Sequence, residues 1–262
     1  MPRRTPVEPD PLLENSLLHR HLGDRRFVLT LPRAVTLQIL HPAIAAALAS
    51  HTRTGLWEHK KRAVSTMITI AYSHRDLRSV IRVGHEHVKG RDNLGRRYHA
   101  LNPEIFFFQH ATYVDALFTS IDTFSTPLSA PQRERLYLEC LAWYRRYGIS
   151  TRGVPTTWSE FTTYFDQACD GLLRRTAHGD HLVSQALRPD AWTPKWLPEG
   201  AVRALSHDRA RDLLDIDVSA ADRAVLSVYA RTVRAGAALA PRRMRRLPQA
   251  RTPDNGQLTL SD

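Results

Sequence analysis

The chain has 262 residues, 42% of them hydrophobic and 24% charged, which fits an ordinary globular protein and argues against wholesale disorder or collagen-like order. Its 37 Lys and Arg against 26 Asp and Glu give a net charge of +11, with 13 His in reserve; this permits anionic partners but selects none. Only two cysteines occur, Cys140 and Cys169, so a disulfide scaffold or a cysteine-based zinc module is not expected, and a reducing cytoplasm is the natural compartment.

Residues 1–20 read as a loose lead-in broken by Pro2, Pro6, Pro9 and Pro11. The Arg3-Arg4 pair is followed by no apolar run, which argues against an export signal. The most apolar window, Ala34 to Ala49, contains Gln38, His41 and Pro42 and is shorter than the ~20 clean apolar residues of a membrane span. The chain is therefore expected to be soluble and cytoplasmic. From about 34 to 185 the text reads as a series of helices, with strand-like alternation scarce and no internal repeat. After a Pro- and Trp-rich joint from Pro189 to Pro198, a last helix runs from Ser219, a good N-cap, to about Ala238. The expectation is an all-α protein, a single helical domain over 21–240, with a basic, frayed tail over 241–262.

Four helices carry the chemistry, read at ~100° per residue. In the first, Leu37, Leu40, His41, Ile44 and Leu48 form one stripe, and Pro42 is expected to kink or restart the helix there. In the second, about Lys60 to Tyr72, Arg62 and Thr66 share a face. The third has an apolar stripe of Leu77, Val80, Ile81, Gly84, His85 and Val88, with His87 ~200° away from His85. The fourth aligns Phe106, Phe107, His110, Val114, Leu117 and Ile121.

A histidine on an apolar face is ordinarily a packed, hydrogen-bonded core residue. Three of them, on three helices, suggest a shared site: a metal, a cofactor or a polar network. Glu-x-x-His, His-Glu-x-x-His, Gly-x-Gly-x-x-Gly, Walker A and Gly-x-Ser-x-Gly are all missing from the sequence. Haem remains, because it needs a single inward His in an apolar helical pocket. Gly84, just before His85, removes a side chain where a flat macrocycle would approach.

The run Arg33 to Ala45, with Gln38, His41 and Pro42 inside it, resembles the opening motif of the MpaB-type oxygenase family, which includes latex-clearing protein (rubber oxygenase). His51, then Arg62-x-x-x-Thr66, His85-x-x-Val88-Lys89, Tyr98 to Glu104 with His110-Ala111-Thr112, and Leu128-Ser129 to Tyr137 resemble further family motifs, in order. The Thr157–Phe161 segment fits the helix start that follows, so the likeness covers about residues 20 to 180, with fainter likeness to about 247.

The resemblance implies a globin-like helical core binding haem b through its iron, with His85 as axial ligand. It also implies an oxidoreductase, most readily an oxygenase acting on a small apolar or amphipathic molecule with oxygen or peroxide. Arg62 would then offer a cation to a haem propionate or to oxygen, and Thr66 a hydroxyl. His41 and His110 would support the iron's surroundings or supply protons, and Arg82 and Lys89 would pair with propionates. Ser65 stands where the relative has a distal lysine, so polymer cleavage does not carry over. The competing readings are a haem carrier or sensor without turnover, and a basic helical DNA-binding regulator using the run Pro241 to Arg246. No helix-turn-helix signature supports the latter, so no nucleic-acid partner is expected; oligomeric state stays open.

Overall fold

The computed structural model describes residues 16–52 and 54–251. It is all-α apart from one small hairpin, as the sequence predicts. Two short helices, α1 (Leu17–His21) and α2 (Arg25–Val28), are capped by the side chains of Ser16 and Asp24. They lead into α3 (Leu31–Leu40) and α4 (Pro42–His51). Proline cannot continue the hydrogen-bond ladder and forces the residue before it into extended backbone. His41, at φ −82° and ψ 117°, is that residue, and the chain bends by 101° around it. Among the described residues no single helix is long and apolar enough to cross a membrane; only this bent pair meets the length and composition.

Helix α5 (Leu56–Tyr72) follows, then α6 (Arg78–His85), and the hairpin of β1 (Lys89–Arg91) with β2 (Arg97–His99). The strands are antiparallel, with Lys89 opposite His99, and the turn uses Gly95 at φ +74°. Helix α6 stops at His85, short of the stripe read to Val88. Lys89 is therefore a strand residue and not part of that helix, and His87 lies in the turn between.

The central element is α7 (Pro103–Phe124), started by Asn102, whose side chain accepts from the backbone N–H of Glu104 and Ile105. Phe107, Phe108, His110, Ala111, Val114, Leu117 and Ile121 are all buried along it. Helices α8 (Ala130–Arg145) and α9 (Trp158–Leu172) close one side of the core. Arg33 on α3 and Asp115 on α7 form an ion pair at 2.6 Å that pins these two helices together.

The short helices α10 (Ala177–Asp180) and α11 (Val183–Leu187) come next, followed by α12 (Glu199–Leu205) and α13 (Asp208–Leu214). Ser219 and Asp222 make a reciprocal capping box for α14 (Ala220–Leu239), matching the predicted last helix to within a residue. Helices α12 and α14 share a smaller apolar cluster with Leu29 and Phe124.

Beyond it, Pro241 to Arg251 does not fray as the composition suggests. A short helix, α15 (Arg242–Arg245), leads to Arg246, whose backbone pairs with that of Asp24 in an isolated antiparallel bridge, and the Leu247 N–H donates to the Gly23 carbonyl at 2.8 Å. Leu247 is 0% exposed, so one apolar side chain in an Arg-rich run anchors the segment. The rest of the expected tail, 252–262, and the lead-in up to residue 15 lie outside the described residues.

Leu247→Ala should destabilise the fold by about 2–5 kcal/mol in urea unfolding. Met244→Ala, two-thirds exposed nearby, should stay within about 0.5 kcal/mol. Equal effects would mean that the segment is not docked.

Candidate functional site

The third and fourth predicted helices meet at His85. Its Nδ1 lies 2.8 Å from the Ile81 carbonyl oxygen, one turn back on α6. A carbonyl only accepts, so Nδ1 carries the hydrogen and Nε2 keeps its lone pair. Nε2 has no partner among the described residues. The ring sits edge-on to Phe106 of α7 at 5.5 Å, half-buried, and burial lowers its pKa.

Phe106 continues the contact inward. Its ring meets Tyr147 at 5.5 Å, and Tyr147 meets His110 at 5.6 Å. His110 is enclosed by Trp143 at 4.6 Å, Tyr144 at 5.1 Å and Phe107 at 6.3 Å. Neither His110 nitrogen makes a hydrogen bond, nor does the Tyr147 hydroxyl. The Cys140 carbonyl lies close enough to favour the protonated ring slightly, but burial dominates and holds the pKa near 3.

His41 also lies in the core, with Nδ1 unpartnered and its pKa lowered to about 4 by burial. Its ring packs on Phe108 at 5.2 Å. Phe108 projects from α7 ~200° around the axis from Phe106. The three histidines are thus not one cluster: His85 and His110 share an aromatic chain, and His41 is across α7 from it.

Arg62 is exposed and donates to Thr54 Oγ1 at 2.8 Å. The Thr66 hydroxyl donates to the Arg62 carbonyl at 3.1 Å, within its own helix. Arg82, Gly84 and Lys89 are exposed. A Cβ on Gly84 would touch nothing within 4 Å, so the ground at Gly84, next to His85 on α6, is open.

Two residues of α5 belong to this region and escape the motif reading. His59 lies within electrostatic reach of His85, Lys60 and Arg62, and burial together with those groups lowers its pKa to about 3. Lys60 is 1% exposed and donates from Nζ to Gln38 Oε1 at 2.5 Å; Gln38 Nε2 donates to Thr112 Oγ1 at 2.7 Å. Burial brings its pKa down from 10.5 to about 7. A signal for it existed: Trp57, Lys60, Val64 and Ile68 fall on one helical stripe, so Lys60 occupies a core position.

Among the described residues no three His, Cys, Asp or Glu side chains converge as a metal-binding set. A single imidazole with a fixed tautomer and a free Nε2 beside open, partly apolar ground can instead serve as the one protein ligand of a metallo-macrocycle.

Residues 19–235 match the family described as ER-bound oxygenase mpaB/B'/Rubber oxygenase, catalytic domain. No curated protein and no solved structure matches the chain.

His110 carries the clearest pH signature of the site. An unfolded imidazole takes up its proton near pH 6.5, whereas the folded one resists down to about 3. Below 6.5 the unfolded chain binds more protons, so stability is intact above that pH and is lost as pH falls. His110→Phe, which suits the aromatic cage, should flatten this loss in urea titrations between about pH 6 and 4, by up to about 1.4 kcal/mol per pH unit. An unchanged slope would place His110 outside the dry core.

Proposed function

The chain belongs to the mpaB/rubber oxygenase catalytic-domain family, a family of oxygenases, and on that premise we propose that it is a haem-b-dependent oxygenase acting on a small apolar or amphipathic molecule. The observation that carries this reading is His85, with Nδ1 committed to Ile81 and Nε2 free. Bound there, haem would supply the oxygen and one-electron chemistry that side chains lack.

The protein's part is to hold and tune. The Ile81 carbonyl keeps the His85 ring in one tautomer and increases its donor strength. Gly84 leaves room for a flat group, and the Phe106 ring beside His85 offers it apolar contact. Arg62, Arg82 and Lys89 are the cations in this neighbourhood available to propionates. Thr66 needs a rotamer change to turn its hydroxyl from Arg62 toward a ligand. His41 and His110 are neutral at physiological pH because burial depresses both, so they carry no surplus proton to donate. We assign them to positioning, His110 through Tyr147 and Phe106 to the His85 ring.

The test is reconstitution with haem, read by absorption and magnetic circular dichroism. The wild type and His87→Ala should give the same Soret band at nearly full occupancy. His85→Ala, still helical by circular dichroism, should lose haem or its native axial field. A wild type with no Soret band, or a His85→Ala protein with an unchanged one, would overturn the assignment.

A further inference from the structure

We propose that a second site, unconnected with His85, binds a small, multiply charged oxyanion of the phosphate type. The site is a cleft of about 380 Å³ where α1, α2, the loop over residues 125–128, the first turn of α8 and α15 come together. Arg20, Arg26, Arg242, Arg245 and Arg246 line it, against one carboxylate, Asp24.

The five guanidinium groups divide into two sets. Arg26 closes on Asp24 with paired contacts of 2.8 and 2.7 Å, which removes the only negative charge on the wall. Arg246 donates to the carbonyls of His19 and Ala250 and lies over the Tyr72 ring, so it holds the C-terminal segment in place. Arg20, Arg242 and Arg245 make no side-chain hydrogen bond or ion pair with any described residue. Arg245 Nε is moreover buried without an acceptor. A buried donor left unpaired costs about 1–3 kcal/mol, and like charges facing one cleft add repulsion. An oxyanion removes both penalties.

Chemistry narrows the ligand. Planar guanidinium forks match phosphate oxygens two at a time, and several forks favour more than one charged oxygen group. The first turn of α8, represented in the wall by Gln132, adds the positive end of a sixteen-residue helix. The cleft is large enough for a di- or polyphosphate group, free or carried on a small molecule. Arg242, Arg245 and Arg246 belong to the C-terminal segment that docks on the first two helices, past residue 235 where the family match ends.

Inorganic pyrophosphate is the probe, titrated into the full chain by calorimetry at constant ionic strength. One saturable site per chain and a raised Tm are expected. Arg20→Gln combined with Arg242→Gln should weaken binding about tenfold or more. Arg96→Gln, on the hairpin turn, should leave it unchanged. No saturation at millimolar pyrophosphate would overturn the proposal. Equal binding by the double variant, or an equal loss in Arg96→Gln, would do so as well. A single-stranded oligonucleotide that binds through the same arginines more tightly than pyrophosphate would also count against a small-molecule site.

Discussion

A lysine with 1% of its surface exposed must find acceptors inside the protein or shed its proton, and Lys60 does some of each. Its ammonium donates to Gln38, Gln38 donates to Thr112, and Thr112 donates on to the Gln109 carbonyl. The chain crosses from α5 through α3 to α7, where a shift of either partner helix strands a buried polar group at a cost of about 1–3 kcal/mol. Apolar contacts around it tolerate sliding; hydrogen bonds at 2.5 and 2.7 Å do not. The relative placement of these three helices, and with it the approach of His59 to His85, follows from that register.

The second constraint is dryness. The aromatic chain from Phe106 through Tyr147 and Trp143 excludes water from His110, which stays neutral and unpaired. His85 is at the rim of the same chain and has one polar contact, to Ile81. One imidazole thus seals the interior while the other presents a lone pair outward.

Much of this was legible in the sequence, through signals that act locally. Asn102 before Pro103 starts α7, Ser219 with Asp222 starts α14, and Pro42 breaks the first helix at His41. What was not legible depends on contacts distant in sequence. Gly84 is a weak helix breaker, and the chain turns into the hairpin just after His85, so His87 and Val88 leave the helix that periodicity assigns them. Lys60 sits on an apolar stripe, but the acceptor that lets it stay there, Gln38, lies twenty-two positions earlier and shows only in the fold. Leu247 is inconspicuous among arginines until the Gly23 carbonyl is seen to take its N–H. Residues that pair across the fold leave no periodic trace.

The protonation and tautomer of the imidazoles test this account most directly, and nitrogen-15 NMR of the uniformly labelled, cofactor-free protein reads both. His85 should show a protonated Nδ1 and an unprotonated Nε2. His110 and His41 should remain neutral as the pH is lowered well below 6.5, since their folded pKa values are about 3 and about 4. A His85 ring protonated at Nε2 instead of Nδ1, or a His110 that titrates near 6.5, would contradict the picture of one sealed imidazole behind one at the rim with a free Nε2.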